Sequence, residues 1–431
     1  MFQVLSNAWA LLLGVGFLMV GNGLQGTLLG VRGEIEGFST LAMSFVMSAY
    51  FVGFLGGSRF APEMIRRVGH VRVFAALASF ISAIMILYPV INHPVAWIIG
   101  RLGIGFCFSG VYVTAESWLN RAADNTNRGK ALSLYMMVQM SGVIFAQALL
   151  LVGDPAGYVS FVIASVLISV SFAPILLTVS PTPAFTTTKP MTLRKLYHTS
   201  PLGCVGIFLL GGVFSAQYGM SAVYAATVGL TLVQISAFVA AFYIGAVVFQ
   251  FPLGWLSDRM DRRRLIMVVA GIGGLGALIG MFLGANYYLL LVAAFLIGGL
   301  SNPLYSLLIA YTNDYLDSSD MPAASGGLIF LNGLGAMSGP LITGWLMSEG
   351  VFGPSGFFLF TAFLLFALMG YAIWRATRRP AVPVSETGYM TQMTPGSTHV
   401  ALELAQEVAI EADQDEEDPE GGDADPPPQA A

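Results

Sequence analysis

The sequence predicts an all-α polytopic membrane protein with twelve transmembrane helices in two pseudo-symmetric halves of six. Of its 431 residues, 56% are hydrophobic and only 10% are charged, whereas about a quarter of an average soluble protein is charged. Apolar stretches of about 20 residues, long enough to cross a bilayer core of about 30 Å, recur along the whole chain. The basic residues are confined almost entirely to alternate loops between these stretches.

Turn and charge signals separate the apolar stretches, for example at Glu34–Gly37 and Asn92–Pro94. A soluble core could contain one or two such stretches, but the remaining polar residues could not cover twelve. The predicted spans 1 to 12 are residues 8–31, 38–58, 71–91, 95–118, 130–152, 157–179, 203–228, 232–255, 264–284, 287–311, 323–347 and 355–374.

The distribution of basic residues predicts the orientation. Seventeen of the 19 Lys and Arg residues lie in the loops after spans 2, 4, 6 and 8, or directly after span 12. Cytoplasmic loops carry such an excess of positive charge. We therefore expect these loops and both termini to be cytoplasmic, in the inner membrane of a bacterium. The expected surroundings are the lipid bilayer and no nucleic acid, and we expect a monomer.

The chain divides into four predicted regions. Residues 1–180 form the first half, 181–202 a cytoplasmic linker, 203–375 the second half and 376–431 an acidic cytoplasmic tail. From Glu403 onwards the chain contains eleven acidic residues and no Lys or Arg. Because large apolar residues are scarce there, we expect this tail to be disordered, although Val400, Leu404 and Val408 could line one face of a short helix.

The two halves share a sequence repeat. When the chain is shifted by 197 residues, several glycines and their neighbours coincide. The coinciding positions are Gly57 and Gly254, Leu119 and Leu316, Asn120 and Asp317, Gly129 and Gly326, and Ser141-Gly142 and Ser338-Gly339. Two repeats joined by a long linker are typical of transporters whose site lies between the halves.

The loop after span 8 carries a family motif. It reads Gly254-Trp-Leu-Ser-Asp258-Arg259-Met-Asp261-Arg262-Arg263-Arg264. This resembles the loop motif G-x-L-x-D-R-x-G-R-R/K of the major facilitator superfamily, with Asp261 in place of the usual Gly. Span 4 carries Arg101-x-x-x-Gly105, which is similar to the arginine pattern of the same superfamily. The resemblance covers about residues 8–375 and implies the major facilitator fold.

The corresponding first-half loop departs from this pattern, because Ala61 stands where the motif has Asp. Together with Glu116-Ser-Trp-Leu-Asn120, this altered loop resembles the YcaD-like branch of the superfamily. The resemblance implies that spans 1, 4, 7 and 10 line the substrate cavity. It therefore favours the amides and hydroxyls of these spans as cavity residues, although any one amide could instead join two helices. The candidate substrate residues are Asn22, Gln25, Arg101, Tyr112, Gln217 and Asn302.

Charged residues inside a membrane are costly, so each is a candidate for a function. Apart from basic residues at the first or second position of spans 3, 5 and 9, the charged residues within the predicted spans are Arg101 and Glu116, and about 22 Å of helix separates them. Arg101 could contact the substrate or a structural partner. Glu116, with Glu34 and Glu36, could carry coupled protons; the alternative for Glu116 is a pair with Arg121 or Arg128.

The charged loops on the basic side predict a gate that closes by pairing between the halves. The resemblance to the superfamily implies that the loop after span 8 lies near the start of span 5, and on the pseudo-symmetric side the loop after span 2 would meet the loop after span 10. The alternative is that these are separate solvated charges, and exposed pairs contribute only about 0–1 kcal/mol each. The predicted gate residues are Gly254, Asp258, Arg259, Arg128, Arg67, Asp314 and Asp317.

The sequence carries no enzyme motif and no metal-ligand spacing, so we expect no catalysis and no cofactor. Cys107 and Cys204 lie in separate apolar stretches and are expected to be small core residues. The function expected from these observations is secondary active transport of a small organic solute by alternating access, for which Glu34, Glu36 and Glu116 would allow proton coupling. The alternative is a transporter-like membrane sensor that signals through its cytoplasmic tail.

Overall fold

The computed structural model describes residues 2–122, 128–176, 191–317, 320–380, 382–383, 387–388 and 390–417. The regular secondary structure of this part of the chain is helical. The first half contains α1 (Phe2–Ile35), α2 (Thr40–Val68), α3 (His70–Leu87), α4 (Pro94–Ala122), α5 (Arg128–Leu149), α6 (Val159–Ser171) and α7 (Ala173–Leu176).

The second half follows a short helix of the linker, α8 (Leu193–Thr199). Its first membrane helix is interrupted by a π-helical turn, Ala216–Met220. The remaining elements are α9 (Pro201–Ser215), α10 (Ser221–Thr227), α11 (Leu232–Ser257), α12 (Arg262–Leu283), α13 (Tyr287–Asn313), α14 (Met321–Leu346), α15 (Gly356–Ala376) and, in the tail, α16 (His399–Glu417).

These helices confirm the predicted all-α membrane fold. Eleven helical stretches of the described chain are long and apolar enough to cross a membrane. The predicted span 6 corresponds to the shorter apolar helix α6, which is followed by α7. Side-chain caps fix several helix starts, because the first turn of a helix leaves N–H groups without partners. Ser39 caps α2, Asn286 caps α13, and Thr231 with Gln234 forms a capping box on α11.

Each half is built from the same helix pairs, as the sequence repeat predicts. In the first half α2 packs along α4 and α1 along α5; in the second, α11 packs along α13 and α14 along α9. Glycines allow these backbones to approach closely. A Cβ on Gly105 would lie 1.9 Å from the carbonyl oxygen of Tyr50, and one on Gly298 would lie 2.2 Å from that of Phe242.

The two halves touch each other at one end of the bundle. We call the end that carries the loops after α2, α4 and α11 the basic end, and the other the opposite end. At the opposite end, a Cβ on Gly30 would lie 2.7 Å from Cβ of Ala222, and one on Gly344 would lie 2.3 Å from Cβ of Ser44. At the basic end, residues of the C-terminal tail lie between the halves. The bundle is therefore closed at the opposite end.

The C-terminal tail corrects one prediction. We expect disorder over residues 376–431, but in the described part of this region α16 follows a non-helical stretch, residues 390–398, that enters the gap between the halves. We call residues 390–417 the tail segment. The gap is walled by polar as well as apolar groups, so a polar segment finds hydrogen-bond partners there. Leu404, from the predicted helix face, is fully buried.

The close approach of α2 and α4 gives a prediction for stability. We expect Gly105→Val to lower the free energy of unfolding by at least about 1–3 kcal/mol, because its side chain must push the two backbones apart. Gly370 of α15 has nothing within 4 Å of a Cβ position, so Gly370→Ala is the matched control. Thermal unfolding of the detergent-solubilised protein measures both. Equal melting temperatures for wild type and Gly105→Val would show that this contact is not tight.

Candidate functional site

A cavity lies between the two halves in the middle of the bundle. Helices α1, α2, α4 and α5 form one wall, and α9 and the π-helical turn with α11, α13 and α14 form the other. The polar lining from these elements consists of Asn22, Tyr50, Tyr112, Gln139, Tyr218, Tyr243, Asn302 and Asn332. Its apolar lining includes Met19, Phe51, Phe54, Met140, Phe214 and Ile329. Rings and amides therefore dominate the wall.

A hydrogen-bonded chain joins the halves across the cavity. The hydroxyl of Tyr218 donates to Oδ1 of Asn22 at 2.8 Å, and Nδ2 of Asn22 donates to the hydroxyl of Tyr112 at 3.0 Å. Tyr218 lies in the π-helical turn, a distortion that is frequent at functional sites. The aromatic rings of Tyr218 and Phe214 stack with centroids 5.9 Å apart. This pairing fixes the orientation of the amide.

Two amide oxygens of the cavity wall have no hydrogen-bond partner among the described residues. These are Oδ1 of Asn302 and Oδ1 of Asn332. Their nitrogens are used, because Nδ2 of Asn302 donates to the carbonyl of Gly298 at 3.0 Å and Nδ2 of Asn332 donates to the carbonyl of Pro395 at 2.8 Å. Buried acceptors without a partner are costly. The wall therefore offers two acceptors to a bound hydrogen-bond donor.

Arg101 lies behind the cavity wall. It is fully buried, donates to Oε1 of Gln25 at 2.7 Å and contacts the sulfur of Met47 at 3.4 Å. Its guanidinium carbon lies 4.9 Å from the ring centre of Tyr50, which separates it from the cavity. Among the described residues no carboxylate pairs with Arg101. A positive charge without a counterion thus lies one aromatic ring away from the cavity.

The six predicted substrate residues fall into two groups. Asn22, Tyr112 and Asn302 line the cavity. Gln25, Arg101 and Gln217 lie outside the lining: Gln25 accepts from Arg101, and Nε2 of Gln217 donates to Ser301 at 2.9 Å.

Sequence reasoning also missed most of the aromatic wall, including Tyr50 and Phe214. Aromatic residues in apolar spans have the same pattern whether they face a core or a cavity. The alternation of polar residues along α2, with Ser48 before Tyr50, is the weak signal that was available.

Glu116 is fully buried near the basic end of α4. The hydroxyl of Tyr135 donates to its Oε1 at 3.2 Å, and the hydroxyl of Thr398 in the tail segment donates to its Oε2. Of its two predicted alternative partners, Arg128 instead pairs with Glu407 of the tail segment at 3.2 Å. The side chain of Arg121 lies outside the described residues. No basic residue pairs with Glu116 in the part of the chain that the structure describes.

The other two candidate proton carriers lie at the opposite end. Glu36 pairs with Arg32 at 2.6 Å, and Arg32 also donates to the carbonyl of Pro155 at 3.0 Å. Glu34 accepts from the hydroxyl of Thr227 at 3.4 Å. Glu34 and Glu36 therefore lie at the closed end, away from the cavity lining.

The predicted gate residues pair within one half or with the tail segment. Arg262 pairs with Asp258 at 3.6 Å and with Asp314. Arg67 pairs with Glu63 of its own helix at 2.6 Å. The remaining gate residues lie nearby at the basic end: Arg259 stacks over Trp255 with its guanidinium carbon 4.4 Å from the ring centre, Gly254 lies in the last turn of α11, and Asp317 follows α13.

Asp258 also contacts the tail segment, because its Oδ1 accepts from the N–H of Met390 at 3.1 Å. Burial raises the pKa of the Asp258 carboxyl above its ordinary value, against the opposing effects of this N–H and of the Arg262 guanidinium. The motif aspartate at the basic end is thus partly enclosed by the chain's own C-terminal region.

The chain matches the Major Facilitator Superfamily over residues 11–228 and 202–404. The uncharacterized MFS-type transporter YfkF of Bacillus subtilis is 24% identical over 326 residues, which cover 73% of this chain and 82% of the relative. The uncharacterized MFS-type transporter YcaD of Salmonella arizonae is 25% identical over 315 residues, covering 72% of this chain and 81% of the relative.

Two solved structures share the fold. A mutant of the nucleoside transporter NupG aligns with a TM-score of 0.74 and 13% identity, over 85% of this chain and 99% of that chain. A bacterial homolog of the human lysosomal transporter Spinster, solved in an inward-facing and unoccupied conformation, aligns with a TM-score of 0.65 and 13% identity, over 95% of this chain and 98% of that chain. At these identities the likeness concerns the fold.

The environment of Arg101 gives a second prediction. We expect Gln25→Leu to lower the free energy of unfolding by about 1.5–3 kcal/mol, because the buried guanidinium loses its oxygen acceptor. Arg101→Met should cost less than Gln25→Leu, since it removes a buried charge that lacks a counterion and leaves only the neutral oxygen of Gln25 without a donor. The double variant should then recover the loss caused by Gln25→Leu. Thermal unfolding in detergent measures the three variants, and a large loss for Arg101→Met would contradict this account.

Proposed function

The chain belongs to the Major Facilitator Superfamily and is a multi-pass membrane transporter, and we propose that it moves a small organic solute by alternating access. This family consists of transporters, so the chain is not an enzyme. The observation that carries the proposal is the central cavity, whose lining comes from both halves. A solute held there would contact each half, so the site would be exposed to either side as the halves rock.

The lining supports a class of solute. Aromatic rings such as Tyr50, Phe214 and Tyr218 suit a flat apolar part, and the free oxygens of Asn302 and Asn332 suit hydrogen-bond donors. No carboxylate lines the cavity within the described residues, and Arg101 lies behind Tyr50. We therefore propose a neutral or anionic planar solute, and not an organic cation. A nucleoside is one molecule of this kind.

The basic loops support a topology in which the basic end and both termini are cytoplasmic. The relatives named above are bacterial, which supports a bacterial cytoplasmic membrane. The bundle is closed at the opposite end, so this conformation would face the cytoplasm. We propose that the transporter acts as a monomer.

Charge pairing between the halves is proposed for the conformation that closes at the cytoplasmic side. Asp258 would then meet Arg128, while Arg67 would meet Asp314 and Asp317. In the present conformation Arg128 and Arg67 are engaged by Glu407 and Glu63 instead. Closure would therefore exchange partners, and a shift of about 1.4 kcal/mol would change the ratio of the two conformations tenfold.

One observation favours the alternative of a sensor. The tail segment lies in the cavity and contacts both halves, so a bound solute would change its position. A sensor would report solute through this displacement without moving solute across the membrane. Flux in sealed vesicles separates the two functions, because only a transporter delivers solute to the other side.

The solute class is tested by ligand stabilisation followed by flux. Purified protein is heated with a panel of nucleosides, aromatic carboxylates and aromatic amines, and hits are tested for uptake into proteoliposomes. We expect hits among the neutral and anionic compounds. Asn302→Ala should weaken their binding by about tenfold through loss of an acceptor, whereas Tyr224→Phe, outside the cavity lining, should not. Stabilisation by the amines alone, or hits that never cross the membrane, would refute the proposal.

Proton coupling is proposed to run through Glu116, a buried carboxylate without a basic partner in the described chain. In proteoliposomes with an imposed pH gradient, Glu116→Gln should abolish solute accumulation but retain exchange of solute across the membrane. Exchange is retained because a permanently neutral residue imitates the protonated state. Glu34→Gln and Glu36→Gln serve as comparisons at the opposite end. Accumulation equal to wild type in all three variants would exclude coupling through these groups.

A further inference from the structure

We propose that the tail segment, residues 390–417, is an intramolecular ligand of the solute cavity, and that it inhibits transport until it leaves. The inference rests on the proposed function, because it assigns the regulation of the same site. Four features of the tail segment support it: its place in the cavity wall, its burial between the halves, its charge and its covalent connection to α15.

Residues of the tail segment form part of the cavity wall. Thr394, Pro395, Gly396 and Ser397 form part of the lining together with Asn22 and Asn332. The free volume that remains is about 80 Å³, whereas pockets for organic ligands usually measure about 300–1,000 Å³. A few water molecules fit in this space and an organic solute does not. Solute and tail segment therefore exclude each other.

Asn332 of the cavity wall and Ser306, which lies outside the cavity lining, bind the main chain of the tail segment. Nδ2 of Asn332 donates to the carbonyl of Pro395 at 2.8 Å. The hydroxyl of Ser306 donates to the carbonyl of Met393 at 3.0 Å and accepts from its N–H at 2.8 Å. Ser306 and Asn332 are buried residues of the membrane helices α13 and α14. One polar group of the cavity wall, Nδ2 of Asn332, is thus satisfied by the peptide backbone of the tail segment.

Helix α16 fills the gap between the halves at the basic end. Its residues Ala401, Leu402 and Leu404 are fully buried. It packs against α4 and α5 of the first half and against α14 of the second. Gln406 connects it to the second half, since it accepts from Ser325 at 2.7 Å and donates to Asn313 at 3.0 Å. While α16 occupies this place, the basic end cannot close, so alternating access stops.

Attraction between the acidic tail and the basic end favours the docked position of the tail segment. The loops of the basic end carry most of the Lys and Arg of the chain, while the tail beyond Glu403 is acidic. Arg128 at the start of α5 pairs with Glu407 at 3.2 Å. Two of the residues in our proposed gate, Arg128 and Asp258, thus contact the tail segment. Departure of the tail would free both for pairing between the halves.

The covalent connection between α15 and the tail segment, which we call the tether, lets the tail segment occupy the cavity even if its intrinsic affinity is weak. The membrane helix α15 ends at Ala376, so a short connection leads from the membrane domain to Met390. A ligand joined to its site by a short connection has an effective concentration of the order of mM. A tail segment of modest intrinsic affinity therefore occupies the cavity for most of the time. A solute, or a partner that captures the acidic end, has to overcome this local concentration.

A disulfide tests the docked position. A Cβ on Gly129 would lie 3.1 Å from Cγ1 of Val408, which brings the two Cβ atoms within disulfide range. In a background without Cys107 and Cys204, Gly129→Cys/Val408→Cys should form a disulfide with a mild oxidant. The matched control is Gly326→Cys/Val408→Cys, because Gly326 is the repeat equivalent of Gly129 and has nothing within 4 Å. Equal cross-linking of both pairs would overturn the docked position.

Access to the cavity tests the inhibition without a known solute. Asn302→Cys is introduced into the variant that carries the Gly129→Cys/Val408→Cys pair. The rate at which a membrane-impermeant maleimide labels this cysteine is then measured in inside-out vesicles. We expect oxidation of the Gly129→Cys/Val408→Cys pair to slow labelling at least tenfold, and a reductant to restore it. Leu404→Glu, which places a charge in a fully buried position of the tail segment, should speed labelling severalfold. Truncation after residue 389 should do the same.

Solute flux then separates this inference from the proposed function. Flux that stops on oxidation, returns on reduction and rises severalfold in Leu404→Glu supports inhibition by the tail segment. Labelling or flux that is the same with the tail cross-linked, free or removed overturns it, while flux itself would still support transport. Labelling that follows the tail as expected, without flux of any solute in any variant, would instead refute transport and leave the tail as a lid on a binding site.

Discussion

Helix packing at the opposite end of the bundle determines the arrangement of the rest of the protein. Gly30 and Gly344 let helices of the two halves meet there almost backbone to backbone, and Ser48 donates to the carbonyl of Met337 across the same junction at 2.6 Å. Because rigid halves in contact at one end must diverge at the other, this junction creates both the central cavity and the gap at the basic end. The cavity, the gate residues and the tail segment all take their positions from it.

A membrane interior makes every polar group in this cavity expensive, and the walls reflect that cost. Asn22 uses both the oxygen and the nitrogen of its amide to connect Tyr218 and Tyr112. Such a chain holds the two halves in one geometry without a charge. Arg101 is the exception, since its charge is met by the oxygen of Gln25, the sulfur of Met47 and the face of Tyr50, and by no carboxylate among the described residues. A buried charge without a counterion is costly, and a charged residue within a membrane is a candidate for a function, so Arg101 supports our proposal of a neutral or anionic solute.

The sequence predicts the fold well because its signals are physical and repeated: apolar length, alternating basic loops and a repeat that matches six spans to six. It predicts the site in part. Asn22 and Asn302 are predicted correctly because an amide in a membrane helix must either bond to another helix or face a cavity. Tyr50 is not predicted because its pattern is also that of a core residue. Arg101 is misplaced relative to the cavity because helix periodicity gives a face but not the neighbour that covers it. The tail segment is missed because composition describes a chain in water, and this segment lies between protein walls.

The properties that a cavity needs for transport also allow it to bind a peptide such as the tail segment. To release its solute, the cavity must be polar enough to be wetted and must recognise groups of ordinary size, and a peptide backbone supplies donors and acceptors of that kind. The stretch Thr394-Pro-Gly-Ser397 has small side chains, so it can present its main chain to Asn332 and Ser306 without a steric conflict. Exclusion of solute by the tail segment therefore depends on the tether and on the contacts of α16 at the basic end, where the halves must come together. Control of transport is thus placed at the gate, while the cavity itself stays adapted to the solute.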